Sequence, residues 1–234
     1  MSNLTILRTY ALTNPSKLPP SVLFSHSPTS LTVYDAFPKS IFHFLILPRV
    51  QPPLVASDLS DLRKLLNGDK ERAKEVIAAL SEDAKTLRKE IEEEMLSRYG
   101  FKWGIWTGFH GAPSMDHLHL HVLSDDLCSD RMKNKKHYNS FHPKLGFFLD
   151  VDEVLSWFDA EPSYYSAMAK LDTKHYEAML KTDLVCYRCN ANMKNIPSLK
   201  AHLQEEWDVE TRREKAKMER RREMEEKDST KVTE

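Results

Sequence analysis

The sequence predicts an α+β domain with an antiparallel sheet, followed by a small metal-stabilised unit. Three observations support this: strand-like apolar segments on both sides of residues 71–99, a long amphipathic helical pattern within those residues, and metal-ligand spacing near the C-terminus. Strands and helices that follow one another in separate runs favour α+β over an alternating α/β fold. A length of 234 residues leaves room for one main domain and a smaller one.

Composition narrows the class of protein. Apolar residues make up 41% of the chain, enough for a real core, and the net charge is −1, so any nucleic-acid binding must come from local basic patches. Three cysteines argue against a disulfide framework and favour a reducing compartment. The N-terminus lacks a secretory signal pattern, and no apolar run approaches the length of a membrane span. We expect a soluble intracellular protein.

The main domain is predicted at residues 31–150. Residues 1–30 form a lead-in that is rich in proline and serine and loop-like from residue 15 onward. Strands are predicted at residues 31–37 and 41–47, joined as a hairpin-like pair, and at residues 102–109. Residues 71–99 place apolar side chains at three- and four-residue spacing, which predicts one long amphipathic helix. Glycine and proline at residues 108–113 end the third strand.

The most informative segment is residues 115–123, where His117, His119 and His121 alternate with apolar residues. Alternate side chains of a strand share a face, so the sequence predicts three imidazoles on one side of a strand. The apolar residues of the segment are expected in the core: Leu118, Leu120 and Val122. Histidine titrates near neutrality and serves as nucleophile, proton carrier or metal ligand.

Two other interpretations of these histidines stay open. They could be structural, or they could bind a metal, because His-x-His pairs recur in metal sites. A metal site normally recruits nearby carboxylates or cysteines, and the flanking residues offer only Asp116 and Asp125. We therefore favour catalysis.

A second unit is predicted at residues 183–210, joined to the main domain by short helices at residues 151–182. Cys186-x2-Cys189, twelve residues, His202, three residues and Glu206 match a C2H2 zinc finger with glutamate as the last ligand. A unit of this size buries too little surface to fold alone, so we expect one structural zinc per chain. Leu184, Met193 and Leu199 occupy the finger's apolar positions.

Alternatives remain for this unit as well. Glu205 could replace Glu206 as the fourth ligand, although its spacing is poorer, and the cysteines could be a bare pair on a helical linker. Residues 211–234 consist mainly of Arg, Lys and Glu, which predicts a solvated helix or a disordered tail.

Residues 131–142 mix cations, aromatic rings and hydrogen-bonding side chains. Cations and amide donors suit phosphate oxygens, and aromatic faces suit exposed bases. By itself the segment is slightly better explained as a solvated basic loop. Beside a histidine face and a zinc finger, nucleic-acid contact is the better interpretation, with four candidate binding residues: Lys133, Lys136, His137 and Ser140.

The histidine run resembles the H-φ-H-φ-H-φ-φ motif of the histidine triad (HIT) superfamily of nucleotide hydrolases and transferases. Residues 30 to 207 resemble the aprataxin branch of that superfamily. The resemblance rests on residues 33–39, the loop at 108–115, the segment at 133–141 and the finger. The forkhead-associated domain of vertebrate aprataxins has no expected counterpart, because too few residues precede the first strand. The glutamate ligand resembles the arrangement of some fungal members.

The resemblance implies a nuclear DNA-repair hydrolase, also possible in the cytoplasm, that removes AMP from 5′-adenylated DNA. By similarity, His119 attacks the adenylate phosphorus to form adenylyl-histidine, and water then releases AMP. His117 and His121 would bind phosphate oxygens, and His110 would stabilise or protonate the leaving 5′-phosphate. The remaining substrate-binding residues implied are Ser114 for phosphate, Asp35 for the ribose hydroxyls, and Lys39.

Two other functions stay open at this point. One is a general HIT nucleoside phosphoramidase or dinucleotide hydrolase with an incidental finger. The other is a non-catalytic, nucleic-acid-binding zinc-finger protein whose main domain only holds nucleotide.

Overall fold

Six strands form one antiparallel sheet, which confirms the α+β class. The structure is a computed structural model that describes residues 4–232, with side chains as far as residue 224. The strands run β1-β2-β3-β5-β4-β6 across the sheet. Their bounds are β1 Leu23–His26, β2 Ser30–Tyr34, β3 His43–Pro48, β4 Ile105–His110, β5 Leu120–Ser124 and β6 Phe148–Asp150.

One long helix, α3, covers one face of this sheet, as the apolar periodicity predicts. It begins after Asp69, whose side chain accepts a hydrogen bond from the Arg72 amide, and it ends at Gly100, which adopts a left-handed φ of 80°. The six other helices that precede the finger are shorter. The bounds are α1 Ile6–Leu12, α2 Leu62–Leu66, α3 Lys70–Tyr99, α4 Lys135–Asn139, α5 Val151–Trp157, α6 Pro162–Met168 and α7 Thr173–Met179.

The lead-in is more ordered than expected. Residues 15–30, which composition assigned to a loop, contain a 3₁₀ turn at Pro15–Lys17 and the edge strand β1. Helix α1 precedes them and buries Leu7 and Ala11. These short elements are stabilised by packing on the sheet rather than by their own propensity, so local composition misjudges them. The prediction about the N-terminal signal rests partly on residues 1–3, which lie outside the described residues.

The histidine strand is shorter than predicted. Strand β5 begins at Leu120, so His117 and His119 precede it, and His117 has a φ of 100°. The amides of His117 and Leu118 donate to the carbonyls of Ser60 and Leu59 instead of joining the sheet. His110 was expected on a loop, yet it is the last residue of β4. The first two predicted strands are also trimmed at their ends, at residues 34 and 43.

The two faces of the sheet carry different structures. On one face, a core of β3, β4 and β5 side chains packs against α2, α3 and α5–α7. Because side chains alternate along β3 and β5, four of them lie on the other face: His43, Leu45, His121 and Leu123. There, Leu45 packs with the lead-in at one end, and Leu123 packs with residues 127–141 and the finger at the other. The histidines of β3 and β5 lie between these two walls.

The second unit has the predicted finger architecture. Strands β7 Leu184–Val185 and β8 Asn192–Met193 form a two-stranded sheet that precedes helix α8, Ile196–Val232. Residues 211–232 are therefore helix rather than disordered tail, and residues 233–234 lie outside the described residues. Trp207 of α8 packs against three aromatic side chains of the main domain: Tyr99, Phe101 and Trp103. Within the described residues, no helix is both long enough and apolar enough to cross a membrane.

Candidate active site and zinc centre

Three imidazoles converge between the two walls. One ring nitrogen from each of His110, His119 and His121 lies within 4.8 Å of the other two. The ring centroids of His110 and His121 are 4.3 Å apart, and those of His119 and His121 are 5.0 Å apart. Three of the four predicted catalytic histidines therefore form one cluster, and their individual roles stay predictions.

The backbone orients the ring of His119. Its Nδ1 lies 2.7 Å from the carbonyl oxygen of His117. A carbonyl oxygen only accepts hydrogen bonds, so Nδ1 carries the proton and Nε2 keeps its lone pair. This is the state that a nucleophilic imidazole needs.

A chain of hydrogen bonds places the proton of His121 on Nε2, whereas the proton of His119 is on Nδ1. The Lys39 amide donates to Nδ1 of His43 over 3.0 Å, so the proton of His43 is on Nε2. That Nε2 lies 3.0 Å from Nδ1 of His121, which must accept. The proton of His121 is therefore on Nε2, an atom without a hydrogen-bond partner among the described residues. The chain leaves one N–H in the cluster free to donate to an anion.

His43 is a site residue that sequence reasoning missed. It is fully buried in β3, and its Nε2 also lies 3.5 Å from the carboxylate of Asp35. A single histidine in an apolar strand gives no signal of this role in the sequence. Only the pairing of Leu45 with His121 across β3 and β5 brings the two imidazoles together.

His117 does not join the cluster. Its Nε2 donates to the Pro48 carbonyl over 2.7 Å, and its side chain is buried away from the other three rings. The expectation of three imidazoles on one strand face is therefore wrong for this residue, because its positive φ turns the backbone before β5 begins. Its geometry favours holding His119 through the carbonyl over binding phosphate through the ring.

Burial keeps the clustered imidazoles neutral at pH 7. It lowers the pKa of His119 below its usual 6.5 and the pKa values of His110 and His121 well below it. Neighbouring imidazoles lower the pKa values of His110 and His121 further. Burial also lowers the pKa of His43 to about 4, against the opposing effect of Asp35. The lone pair of His119 is therefore available at neutral pH.

Phe141 explains much of this burial. Its ring centroid lies 4.7 Å from that of His110, 5.1 Å from His121 and 5.3 Å from His43. The aromatic side chains of residues 131–142 were expected to meet exposed bases, but Tyr138 and Phe141 are buried. That expectation is wrong, because the short helix α4 turns these rings inward. The segment is in part a wall of the histidine pocket.

The polar residues of that segment divide into two groups. Lys133 and Lys136 are exposed and free to meet a phosphate. The ring of His137 lies 3.2 Å from the side-chain amide of Asn134 and accepts from the Lys133 amide. The Ser140 hydroxyl donates to the His137 carbonyl. His137 and Ser140 therefore stabilise α4, and their substrate-binding roles stay predictions.

The remaining predicted binding residues lie at different distances from the cluster. Asp35 is half-buried beside His43 and accepts from the Phe37 amide. Lys39 is buried, which lowers the pKa of its ammonium, and its Nζ donates to the Phe37 carbonyl. Ser114 is exposed and lines a cavity of about 290 Å³ that includes none of the four predicted catalytic histidines. The structure thus places Asp35 and Lys39 at the site, and Ser114 on the neighbouring loop.

The finger presents four metal ligands at the predicted positions. One atom from each of Cys186, Cys189, His202 and Glu206 lies within 4.8 Å of the others. Sulfur of Cys189 is 3.2 Å from His202 Nε2, and sulfur of Cys186 is 3.2 Å from a Glu206 oxygen. Ligands at zinc bond lengths in a tetrahedron are separated by about 3.4 Å, so this set fits zinc. The fourth residue of this set is Glu206 rather than Glu205, and the three other residues are those predicted.

The finger does not depend on zinc alone for packing. Its buried residues Leu184, Tyr187, Leu199 and Leu203 share one core with Phe141 and other main-domain side chains. The Tyr138 hydroxyl accepts from the Tyr187 amide and donates to the Val185 carbonyl, each over 2.9 Å. Arg188 bridges Asp125 and Glu210. The finger, which was predicted as a separate unit, is thus part of a core that it shares with the main domain.

Comparisons with known proteins agree with this architecture. A family model described as C2HE / C2H2 / C2HC zinc-binding finger matches residues 144–209. A second, described as Scavenger mRNA decapping enzyme C-term binding, matches residues 11–137. The fold and the two sites define the class as a histidine-triad domain joined to a C2HE zinc finger.

The chain belongs to the aprataxin family. It is 32% identical over 188 residues to the aprataxin-like protein of Schizosaccharomyces pombe, covering 75% of this chain and 70% of that protein. It is similar to the crystal structure of aprataxin ortholog Hnt3 in complex with DNA, with a TM-score of 0.66, 26% identity, and coverage of 91% of this chain and 98% of that one. Another Hnt3 structure, in complex with DNA and guanosine, matches with a TM-score of 0.63 and 26% identity, over 91% of this chain and 100% of that one.

Several relatives are much longer than the segment of them that matches this chain. The Drosophila melanogaster aprataxin-like protein is 30% identical over 185 residues, which is 79% of this chain but 24% of that protein. The match to the Ciona intestinalis aprataxin spans 42% of that protein. The chain thus spans less than half the length of these relatives.

Proposed function

We propose that this protein removes AMP from 5′-adenylated DNA ends, releasing AMP and DNA with a 5′-phosphate. The observation that carries the proposal is the pairing of proton states in the histidine cluster. His119 presents a lone pair on Nε2, and His121 presents an N–H on its own Nε2. A nucleophile beside a hydrogen-bond donor suits attack on a phosphorus atom whose oxygens gain charge.

The proposed reaction has two steps. Nε2 of His119 forms a bond to the adenylate phosphorus while the bond from phosphorus to the 5′-phosphate oxygen breaks. Water then attacks the phosphorus, the N–P bond breaks, and AMP leaves with His119 restored. The Nε2–H of His121 donates to a phosphoryl oxygen, and the His117 carbonyl holds the Nδ1 proton of His119 throughout.

The leaving group decides the proposed role of His110. A phosphate monoester has a second pKa near 6, so it departs as an anion without full protonation at pH 7. Burial lowers the pKa of His110 well below 6.5, so its ring is a poor reservoir of protons. We assign His110 to stabilising the leaving phosphate rather than to protonating it.

DNA as the partner is supported by two observations. The relatives with solved structures include an aprataxin ortholog in complex with DNA. On this chain, Lys133 and Lys136 are exposed on the segment that carries Phe141 into the pocket. A nuclear location belongs to the same proposal, because the substrate is an interrupted DNA ligation product. Zinc bound by Cys186, Cys189, His202 and Glu206 would hold the finger's loop and helix together.

The decisive experiment uses a nicked duplex carrying a 5′-adenylate. The protein should release AMP and restore the 5′-phosphate, and His119→Ala should abolish turnover while DNA binding persists. Acid quenching should trap AMP on the wild-type chain and not on the variant. Equal turnover of adenylated DNA and of a small adenylate ester would favour a general nucleotide hydrolase. Absence of both turnover and adduct would favour a binding protein.

A further inference from the structure

Helix α8 extends 26 residues past the last zinc ligand, from Glu206 to Val232. The charge of this extension is uneven. Residues 211–224 contain seven cations and three acids, whereas the whole chain has a net charge of −1. The cations are Arg212, Arg213, Lys215, Lys217, Arg220, Arg221 and Arg222, and the acids are Glu214, Glu219 and Glu223. Residues 211–224 are therefore a local basic patch, although the whole extension, residues 207–232, contains nine cations and eight acids.

Three of these cations occupy one face of the helix. Arg213, Lys217 and Arg220 follow one another at spacings of four and three residues, which aligns them along the axis. All three are exposed. The same row begins at the zinc site with His202 and Glu206. One groove runs along both ends of the row, and its lining combines the cations Arg188, Arg213 and Lys217 with four acids: Glu205, Glu206, Glu210 and Glu214. We call Arg213, Lys217 and Arg220 the basic stripe.

Local pairing leaves the stripe charged. Lys217 pairs with Glu214 over 2.5 Å, a contact that is exposed and therefore weak. Within the side chains that the structure describes, neither Arg213 nor Arg220 forms an ion pair with a carboxylate. The opposite face differs, because Arg212, Lys215 and Arg222 alternate there with acids at residues 219 and 223. Within residues 211–224, positive charge is thus concentrated on the face of the stripe, whereas the groove nearer the zinc site is lined by several acids.

We propose that the basic stripe binds the phosphate backbone of duplex nucleic acid, extending the nucleic-acid surface beyond the finger. The proposal rests on the proposed function for its choice of partner. A polyanion is the complement of a row of exposed guanidinium and ammonium groups, of which Lys217 alone has a carboxylate partner among the described side chains. The row spans about 10 Å at 1.5 Å per residue, about three phosphates along one strand.

The test compares two full-length variants that lose the same charges. The stripe variant carries Arg213→Gln, Lys217→Gln and Arg220→Gln. The control variant carries Arg212→Gln, Lys215→Gln and Arg222→Gln on the opposite face. Each loses two arginines and one lysine, and glutamine keeps helix propensity, which circular dichroism would verify. Binding to a nicked duplex without adenylate is measured by fluorescence anisotropy from 50 to 200 mM salt.

The stripe variant should bind roughly tenfold or more weakly at 50 mM salt, with the log–log salt slope smaller by about two to three. The control variant should stay close to wild type in both quantities. Equal losses in the two variants would show only a long-range effect of net charge and would overturn the proposal. Unchanged affinity in the stripe variant would also overturn it. The readout needs no turnover, so it is independent of whether AMP is released.

Discussion

Replacing His43 tests the assignment of proton positions in the active site. In the structure, His43 donates to Nδ1 of His121 and accepts from the Lys39 amide. His43→Leu keeps the volume apolar but removes both hydrogen bonds. Without a donor at Nδ1, His121 can place its proton there and turn a lone pair toward the phosphate oxygen. The proposed nucleophile, His119, keeps its hydrogen bond to the His117 carbonyl, so within the cluster the change acts on the proposed donor, His121.

The size of the effect follows from the lost contacts. Leaving a buried polar group unsatisfied costs about 1–3 kcal/mol. If the His121 donor acts in the transition state, that energy corresponds to a fall in kcat of about 5- to 150-fold, at 1.36 kcal/mol per factor of ten. His43→Gln should recover part of the rate, because its amide can donate to His121 and accept from Lys39. Single-turnover release of AMP from adenylated DNA measures the chemical step.

His142→Leu is a matched control for loss of a buried imidazole. His142 is buried, its Nε2 has no partner among the described residues, and it lies outside the histidine cluster. Its replacement should leave kcat unchanged. If His43→Leu also kept the wild-type rate, the hydrogen-bond chain through His43 would not set the active proton state. Equal rate losses in His43→Leu and His142→Leu would reduce the effect to general destabilisation.

Three further predictions concern pH, zinc and DNA contacts. Burial lowers the pKa values of His43 and His117 to about 4. Between pH 6.5 and pH 4 these two side chains therefore bind more protons in the unfolded chain than in the native state. Unfolding free energy should fall as pH drops from 6.5 toward 4, and the acid limb of kcat/KM should lie below 6.5; an acid limb above 6.5 would contradict a buried neutral His119. Metal analysis should find about one zinc per chain, retained in Glu206→His and lost in Cys189→Ser. Chelation should slow hydrolysis of a small adenylate ester as well as of DNA, because finger residues share a core with Phe141; unchanged ester hydrolysis would show that the finger is separable. Lys133→Ala with Lys136→Ala should reduce the salt slope of DNA binding by roughly 0.9 per lost phosphate contact and spare the ester, whereas Phe141→Ala should impair both substrates.

The sequence was most informative where spacing alone decides geometry. Period-two alternation located His119 and His121, and ligand spacing located all four residues of the candidate metal cluster. The helix pattern at residues 71–99 missed the start of α3 by one residue. Each of these signals is local, since the residues involved lie close together in the sequence.

The sequence was least informative where long-range contacts decide geometry. His43 becomes a site residue only because β3 pairs with β5, far apart in the chain. Strand β1 exists because β2 offers a pairing edge, and His117 leaves the cluster because its amide finds the Ser60 carbonyl. The buried rings of Tyr138 and Phe141 show the same limit. Their composition fits an exposed binding loop, and only the packing of α4 between sheet and finger turns them inward.

The shared core of finger and catalytic face has a mechanistic consequence. The hydroxyl of Tyr138 forms hydrogen bonds with the backbone of Val185 and Tyr187 in the finger. Phe141, three residues later in the same segment, packs against the ring of His110. If the finger holds DNA, as proposed, packed side chains rather than a flexible linker would position that DNA relative to His119. Binding energy from distant phosphates can then serve to orient the adenylate for attack, which raises the rate of the chemical step as well as affinity. A finger on a mobile tether would raise affinity alone.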